Sequence, residues 1–209
     1  MTKKLFLILH GRFPSNKADS LFAAKNAEAF AEEGVTVTLV VGRRLGREEG
    51  DPYKYYNVKN TFKIVYLPVL DMPIVNYLTR IRFVLSTITF ALSSYWYLLW
   101  HAKKEDIIYS NESLPLLLAS ASFPNIFYEM HDFPESGFRL FGIFLRRMTW
   151  VLIHNNWKAD SAKKLFHMKE ERILREPNAV SIEDFDISIT KEAARKRVSL
   201  PQEKKIVVY

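Results

Sequence analysis

The sequence predicts an α/β fold, a Rossmann-like parallel sheet with helices on both faces. Short apolar runs alternate along the chain with longer stretches in which apolar residues recur at helical spacing. The apolar runs are continuous rather than alternating, which is typical of parallel strands that are buried on both sides. With 209 residues, of which 48% are hydrophobic and 25% charged, the chain is long and apolar enough to bury one large core.

The N-terminal part of the chain predicts a strand, a helix and a second strand. Residues 3–10 form a short apolar run that Gly11 ends. Over residues 19–33 the apolar side chains fall on one helical face and the charged ones lie largely opposite, and Gly34 ends this helix. Residues 35–41 are rich in β-branched side chains, as strands are. Together these elements predict a right-handed parallel crossover.

The same alternation continues through the rest of the chain. A third strand is predicted at residues 62–67 and a long helix at residues 74–101. Three more strands are predicted at residues 106–110, 126–131 and 151–154, and the helices that follow them at residues 114–122, 138–148 and 158–168. The remaining candidates are a strand at residues 172–175, a short polar helix at residues 191–198 and the start of another strand at residues 205–209.

The long helix at residues 74–101 has a membrane alternative. Its 18 residues 83–100 carry no charge, which reaches the length of a transmembrane span. We favour a helix that packs on the sheet and is partly exposed to a membrane, because it contains several serines and threonines and lies between strands of one sheet. Aromatic residues around Trp96 and Trp100, and the apolar and arginine side chains of residues 138–148, also suit a lipid surface. Burial of both helices in the core is the alternative.

Composition excludes several classes of function. Without cysteine the chain has no disulfide, thiolate nucleophile or cysteine-ligated metal, and this composition fits a reducing cytoplasm. The net charge of +7 is distributed over short basic pairs and would attract nucleotide diphosphates, acidic lipids or nucleic acid. No nucleic-acid recognition motif accompanies the charge, so we expect no nucleic-acid partner. The first residues lack the features of a signal peptide, and we expect a cytoplasmic location that includes the inner face of the cell membrane.

The candidate site residues follow the predicted strands, because ligands of a parallel sheet bind beyond the carboxyl ends of its strands. The polar residues at these positions are His10, Gly11 and Arg12, then Ser110, Asn111 and Glu112, then His131 and Asp132, and then His154, Asn155 and Asn156. Gly11 precedes a helix whose N-terminal amides would suit a phosphate. His131 is the most informative, since a neutral imidazole can hydrogen-bond a sugar hydroxyl or a phosphate oxygen. The alternative is that polar residues simply begin the loops.

Motifs for other chemistries are missing from the sequence. The first strand is not followed by Gly-x-Gly-x-x-Gly, and neither a Walker loop nor the Gly-x-Ser-x-Gly turn of serine hydrolases occurs. The five histidines show no close pair with metal-ligand spacing. We therefore expect no bound metal and no cofactor.

Taken in order, several segments resemble the N-terminal domain of the retaining GT-B glycosyltransferases, the family that includes glycogen synthases, sucrose synthases and lipid mannosyltransferases. The matching segments are His10-Gly11-Arg12-Phe13-Pro14, the helix at residues 20–33, Glu33-Gly34-Val35-Thr36-Val37-Thr38, Asp106-Ile107-Ile108-Tyr109-Ser110, Phe127-Tyr128-Glu129-Met130-His131-Asp132, residues 173–180 followed by Asp184-Phe185, and Leu200-Pro201 with the residues to Tyr209. The resemblance covers nearly the whole chain and implies one half of a GT-B fold.

The resemblance implies roles for single residues. His131 matches the active-site histidine of the family, which contacts the donor sugar, and Gly11 matches the glycine-loop position near the donor phosphates. Arg12 is a looser candidate for the same phosphate region. The further substrate-binding candidates at the same edge are Asn111, Glu112 and Asp132. The first loop has one glycine where the family commonly has two, and the segment before the hinge departs from the family at Ala179 and Ser181.

The resemblance also divides the chain into parts. Residues 1–176 match the acceptor-side domain, residues 177–201 a linker or hinge, and residues 202–209 the first strand of a donor-binding domain that would continue beyond Tyr209. The basic residues that hold the nucleotide diphosphate and the paired glutamates of the family belong to that second domain. We therefore expect no appreciable transferase activity from these 209 residues alone.

The sequence thus predicts the acceptor-side half of a sugar-nucleotide-dependent hexosyltransferase. The donor substrate would be a nucleotide-diphosphate sugar, and the acceptor a cell-surface polysaccharide or a lipid-linked molecule. Two alternatives stay open. One is half of a sugar-nucleotide epimerase with the same architecture, and the other is a non-catalytic module whose aromatic helix docks on a membrane or a partner subunit.

Overall fold

Seven parallel strands form one sheet in the computed structural model, which describes residues 3–71, 79–177, 179–180, 182, 186 and 188–207. The strands are β1 (Lys4–Leu9), β2 (Thr36–Gly42), β3 (Lys63–Leu67), β4 (Ile107–Ser110), β5 (Ile126–Met130), β6 (Trp150–Ile153) and β7 (Ile173–Arg175). Their order is β3-β2-β1-β4-β5-β6-β7, so the direction in which strands are added reverses between β1 and β4. The predicted α/β fold with a parallel sheet is confirmed.

Helices connect the strands and cover both faces of the sheet. They are α1 (Ala18–Glu32), α2 (Pro52–Tyr55), α3 (Thr79–His101), α4 (Ser113–Ala119), α5 (Phe138–Arg147) and α6 (Asn156–Phe166), with a 3-10 turn at Glu170–Arg172. Strand β1 is buried on both faces, so a layer of helices is needed on each side of the sheet. Its Phe6 and Ile8 pack in a core with residues of α3, α4, α5 and α6, whereas Leu5 and Leu7 pack in a second core with α1.

Helix α3 connects the edge strand β3 to the central strand β4 and packs on the sheet through one side. Its buried residues are Ser86, Phe90, Ala91, Ser94 and Leu98. Within the described residues it is the one helix that is long and apolar enough to cross a membrane, and 28% of its most apolar window is buried. The predicted helix began at residue 74, and residues 74–78 lie outside the described part of the chain.

Ion pairs connect the segments that follow β2 and β3. The buried carboxylate of Asp71 lies 3.5 Å from Arg44 Nη2 and 3.4 Å from Arg82 Nε, and it accepts a hydrogen bond from the Leu45 amide at 2.8 Å. Burial alone would raise the pKa of Asp71, but the amide and the two arginines outweigh burial and lower it. The loop after β2 is thereby fixed to the start of α3.

The sequence pattern missed or misplaced a few local elements. The four-residue helix α2 was not predicted, and it begins where the Asp51 side chain accepts from the Tyr53 amide. Helix α6 begins at Asn156 rather than at residue 158, because Asn155 is its N-cap and accepts from the Lys158 amide. A strand was predicted at residues 205–209; residues 205–207 carry no strand, and residues 208–209 lie outside the described part.

The chain divides into two compact units, Met1–Pro177 and Asn178–Tyr209. The sheet belongs to the first unit. In the second, α7 (Lys191–Arg197) begins at Thr190, whose hydroxyl accepts from the Ala193 amide. The assignment of the C-terminal residues to a hinge and a donor domain stays a prediction.

Candidate functional site

The carboxyl ends of β1, β4, β5 and β6 lie side by side and bring most of the predicted site residues to one edge of the sheet. Strands β5 and β6 are paired so that Met130 is opposite Ile153. His131 and His154 follow these two residues directly, which places the two histidines next to each other with ring centroids 5.2 Å apart. A reversal of strand order between β1 and β4 is where open α/β sheets bind ligands.

Glu129 connects the two histidines. Its Oε1 atom lies 3.0 Å from Nε2 of His131 and 3.0 Å from Nε2 of His154. Its Oε2 atom accepts a short hydrogen bond from the hydroxyl of Tyr109 on β4. Glu129 and His131 are two residues apart on β5 and its continuation, so their side chains point to the same face of the sheet. This carboxylate therefore orients His131.

Hydrogen bonding controls the charges of this cluster. The hydrogen bond with Glu129 raises the pKa of His131 above its ordinary value, although burial works against it. Burial would raise the pKa of Glu129, but the hydrogen bonds from His131 and Tyr109 together outweigh it and lower that pKa. Burial and the neighbouring Glu129 charge raise the pKa of Tyr109, which keeps this hydroxyl a donor.

His154 has a fixed tautomer. Its Nδ1 atom lies 3.0 Å from the backbone oxygen of Glu176, and because a carbonyl can only accept, Nδ1 carries the proton. In neutral His154 the Nε2 atom then has a lone pair. This atom is buried, and among the described residues it finds no aligned hydrogen-bond partner, although Glu129 Oε1 lies 3.0 Å away.

Gly11 and Arg12 are placed by contacts within the fold. A Cβ atom on Gly11 would lie 2.9 Å from Asp19 Oδ2, so a larger residue here would displace the Asp19 carboxylate. The Asp19 carboxylate also accepts from the Ser20 amide at 2.8 Å in the first turn of α1. The Arg12 side chain donates to the Leu45 backbone oxygen at 2.6 Å. The predicted phosphate contacts of Gly11 and Arg12 remain predictions.

The other predicted residues divide into two groups. Asn111 lines a narrow cavity together with Asp19, Glu129 and His131. Glu112 is engaged with the first strand, since its Oε1 atom accepts from the His10 amide at 3.2 Å, and burial raises its pKa. Asp132 is exposed beside His131, and its negative charge helps to raise the pKa of His131.

Two members of the cluster were not selected from the sequence. Glu129 was quoted only as part of the His131 segment, although its position two residues earlier on the same strand was a usable signal. His154 was placed at a strand end, but its proximity to His131 depends on β5 and β6 being neighbours. Lys158 of α6 was also missed, and its ammonium group donates to the His131 backbone oxygen.

Comparison with known proteins supports the fold alone. The sequence matches no protein-family model and no curated relative. Its structure is similar to the crystal structure of a glycosyltransferase from Rickettsia africae, with a TM-score of 0.60 and 13% sequence identity. The similarity covers 97% of this chain and 51% of that one, so the chain spans about half the length of the glycosyltransferase. We conclude that these residues form a glycosyltransferase-like fold, consistent with one half of a GT-B enzyme.

Proposed function

We propose that the chain is the acceptor-side half of a GT-B glycosyltransferase that uses a nucleotide-diphosphate sugar. The observation that carries this proposal is His131, which lies at the carboxyl edge of a glycosyltransferase-like sheet and is held by Glu129 at 3.0 Å. The His131 side chain is 32% exposed, so a ligand can reach it. An imidazole in this place can hydrogen-bond a hydroxyl or phosphate oxygen of the donor.

The remainder of the chemistry would come from a second domain. Stabilisation of the leaving diphosphate requires several cationic groups or donors that face it. Around His131 the described residues offer chiefly Lys158, and its ammonium group is used by the His131 backbone oxygen. This observation supports a donor site that is completed by residues of a second domain, outside this 209-residue sequence. The transfer itself would require neither a bound metal nor a cofactor.

An open groove of about 1000 Å³ beside the edge strand β3 is suited to the acceptor. Its lining includes Arg47, Lys63, Tyr53 and Tyr66, and the Arg47 guanidinium lies 4.8 Å from the centre of the Tyr66 ring. Aromatic faces pack on sugar rings, and cationic side chains bind phosphate. We propose a polysaccharide or a lipid-linked sugar phosphate as the molecule that binds there.

The test is transfer activity in the native protein that contains both halves. The reading frame beyond Tyr209, and any adjacent frame, identifies the second domain, and the complete enzyme is then assayed with a panel of nucleotide sugars. We expect His131→Ala to lower kcat by about 100-fold, whereas His101→Ala, on the far end of α3, leaves kcat unchanged. Equal kcat values in the two variants would refute the role of His131. Sugar transfer by the 209 residues alone would refute the requirement for a second domain.

A second candidate function is docking on the inner face of the cell membrane, and the exposed side of α3 favours it. The large apolar side chains on this side are Ile81, Val84, Ile88, Leu92, Trp96, Leu99 and Trp100, and Trp100 is 80% exposed. Arg80 in its first turn is exposed and adds positive charge. Tryptophan and arginine on one helix are typical of contact with acidic lipid headgroups.

Vesicle flotation tests this second function. The chain is mixed with vesicles of phosphatidylcholine and phosphatidylglycerol, and the floating fraction is measured for wild type and for the double variant Trp96→Ser, Trp100→Ser. We expect the double variant to lose most of its binding, whereas Trp157→Ser, at an exposed tryptophan on α6, does not. Binding that is unchanged in the double variant would remove the membrane assignment of α3.

A further inference from the structure

Three side chains with metal-ligating atoms meet at the ends of β5 and β6. One donor atom from each of Glu129, His131 and His154 lies within 4.8 Å of the other two. The two Nε2 atoms approach the same carboxylate oxygen, each at 3.0 Å. The spacing in the sequence gave no indication of this cluster, because the two histidines are separated by a whole helix and become neighbours only through strand pairing.

The geometry of His154 calls for a cation in this cluster. Its proton is on Nδ1, toward the Glu176 oxygen, so the lone pair of Nε2 faces Glu129. A lone pair and a carboxylate oxygen 3.0 Å apart repel each other unless a proton or a metal ion lies between them. Buried polar atoms in proteins are nearly always satisfied, and the Nε2 atom of His154 has no hydrogen-bond partner in the part of the chain that the structure describes.

The surroundings of the three residues match those of metal ligands. Metal-binding histidines usually donate their second ring N–H to a carbonyl or carboxylate, as His154 does to Glu176. Metal-binding carboxylates are usually hydrogen-bonded in turn, as Glu129 is by Tyr109. The partial exposure of His131 leaves one side of the cluster open to water or to a ligand.

We propose that Glu129, His131 and His154 bind one divalent transition metal ion of the Zn²⁺ or Co²⁺ class. Two imidazoles and one carboxylate form a common three-ligand zinc set with an open fourth position. Bonds of about 2.0–2.1 Å in tetrahedral geometry place ligand atoms roughly 3.3 Å apart. The two 3.0 Å separations from Glu129 would widen slightly, and the separation between the two histidine atoms, which lies within 4.8 Å, would adjust to the same value. Imidazole ligands disfavour Mg²⁺ and Ca²⁺. If His131 contacts the donor sugar as proposed above, the metal would compete for it.

The direct test is metal binding by the chain itself, without any measurement of sugar transfer. A preparation without a polyhistidine tag is stripped with chelator and titrated with Co²⁺, and the visible absorption of the bound ion and the heat of Zn²⁺ binding are recorded. We expect one equivalent of each metal to bind and Mg²⁺ not to compete. A chain that binds neither Co²⁺ nor Zn²⁺ would refute the proposal.

Variants assign the ligands. We expect His131→Ala and His154→Ala each to weaken Co²⁺ binding by at least about 10-fold, whereas His101→Ala leaves it unchanged. Circular dichroism verifies that each variant is folded. If His154→Ala does not fold, His154→Gln and Tyr109→Phe replace it, and we expect Tyr109→Phe to weaken binding by about 10-fold by releasing Glu129. Binding that is unaffected in the folded His131 and His154 variants would locate the metal elsewhere and refute this site.

Discussion

Two histidine and glutamate pairs lie at the same edge of the sheet, and their environments favour opposite charge states. At the ends of β1 and β4, His10 is 4% exposed and packs on Phe83 and Phe90. Burial, and then the charge of Arg44, lower the pKa of His10 to about 4, and burial raises the pKa of Glu112. The Glu112 carboxylate accepts a hydrogen bond from the backbone amide of His10. Burial therefore disfavours the charged form of both side chains.

At the ends of β5 and β6, direct contact between the side chains reverses this outcome. The hydrogen bond between His131 and Glu129 raises the histidine pKa, and that bond together with the one from Tyr109 lowers the glutamate pKa. The charged forms of both partners are favoured, although both are partly buried. Both histidines directly follow a strand, whereas Glu129 lies on the same strand as its histidine and Glu112 follows a neighbouring strand. The ring-to-carboxylate contact at His131 favours the charged forms of that pair.

The largest effect is expected when the packing around His10 is removed. Phe90 is fully buried against His10, and Phe90→Ala should lower the free energy of unfolding by about 3–5 kcal/mol. Water entering the cavity should also move the pKa of His10 up toward 6.5. Urea denaturation and NMR titration measure the two effects. Ile88→Ala, a half-exposed position on the same helix, should change the free energy of unfolding by less than about 0.5 kcal/mol. Equal losses in the Phe90 and Ile88 variants would contradict the packing role of Phe90.

The next effect is a pH dependence that belongs to His10. Its folded pKa of about 4 lies below the ordinary value of 6.5, so the unfolded chain takes up the proton first as the pH falls. The contribution of neutral His10 to the free energy of unfolding is thus fully present above pH 6.5. It is lost as the pH falls toward 4, a decrease of about 3 kcal/mol. His10→Gln should remove this change, and His101→Gln should not. Unfolding free energies at pH 7 and pH 4 provide the measurement.

The third effect is expected at the pair of Glu129 and His131. Glu129→Gln removes the charge that favours protonated His131, so the pKa of His131 should fall toward its ordinary value of 6.5. The buried network that is lost should cost about 1–3 kcal/mol of stability. Glu112→Gln is the matched control at the buried pair and should leave the pKa of His131 unchanged. An unaltered His131 pKa in Glu129→Gln, measured by NMR, would refute the proposed orientation by Glu129.

The smallest effect is expected at Asp132, an exposed residue whose charge only adds to that of Glu129. Asp132→Asn should lower the pKa of His131 less than Glu129→Gln does, and stability should change by less than about 0.5 kcal/mol. The same NMR titration compares the two variants. A larger pKa change in Asp132→Asn would show that long-range charge, rather than the hydrogen bond, controls His131.

The sheet could be predicted from the sequence because its strands are local apolar runs with clear ends. The predicted strand at residues 3–10 extends one residue beyond β1 at each end, and the one at residues 126–131 extends one residue beyond the end of β5. The four-residue helix α2 could not be predicted from periodicity, since it is barely longer than one helical turn and depends on the Asp51 cap.

The candidate site was predicted only in part, because its chemistry depends on which strands are neighbours. His131 was found from its position after a strand, and the fold adds Glu129 beneath it at 3.0 Å. The contact with His154 requires the register of β5 with β6. His10 also directly follows a strand, but nothing in the sequence indicated that Phe90 would pack against its imidazole and bury it.

The crossover through α3 has a consequence for how an acceptor would reach the protein. Because β3 and β4 are parallel, α3 runs back along the sheet, with Arg82 fixed to Asp71 near the carboxyl edge. If the exposed side of α3 rests on a bilayer, the strands lie along the membrane plane and the edge with His131 opens sideways. A lipid-linked acceptor would then arrive by lateral diffusion within the leaflet, and its search would be two-dimensional.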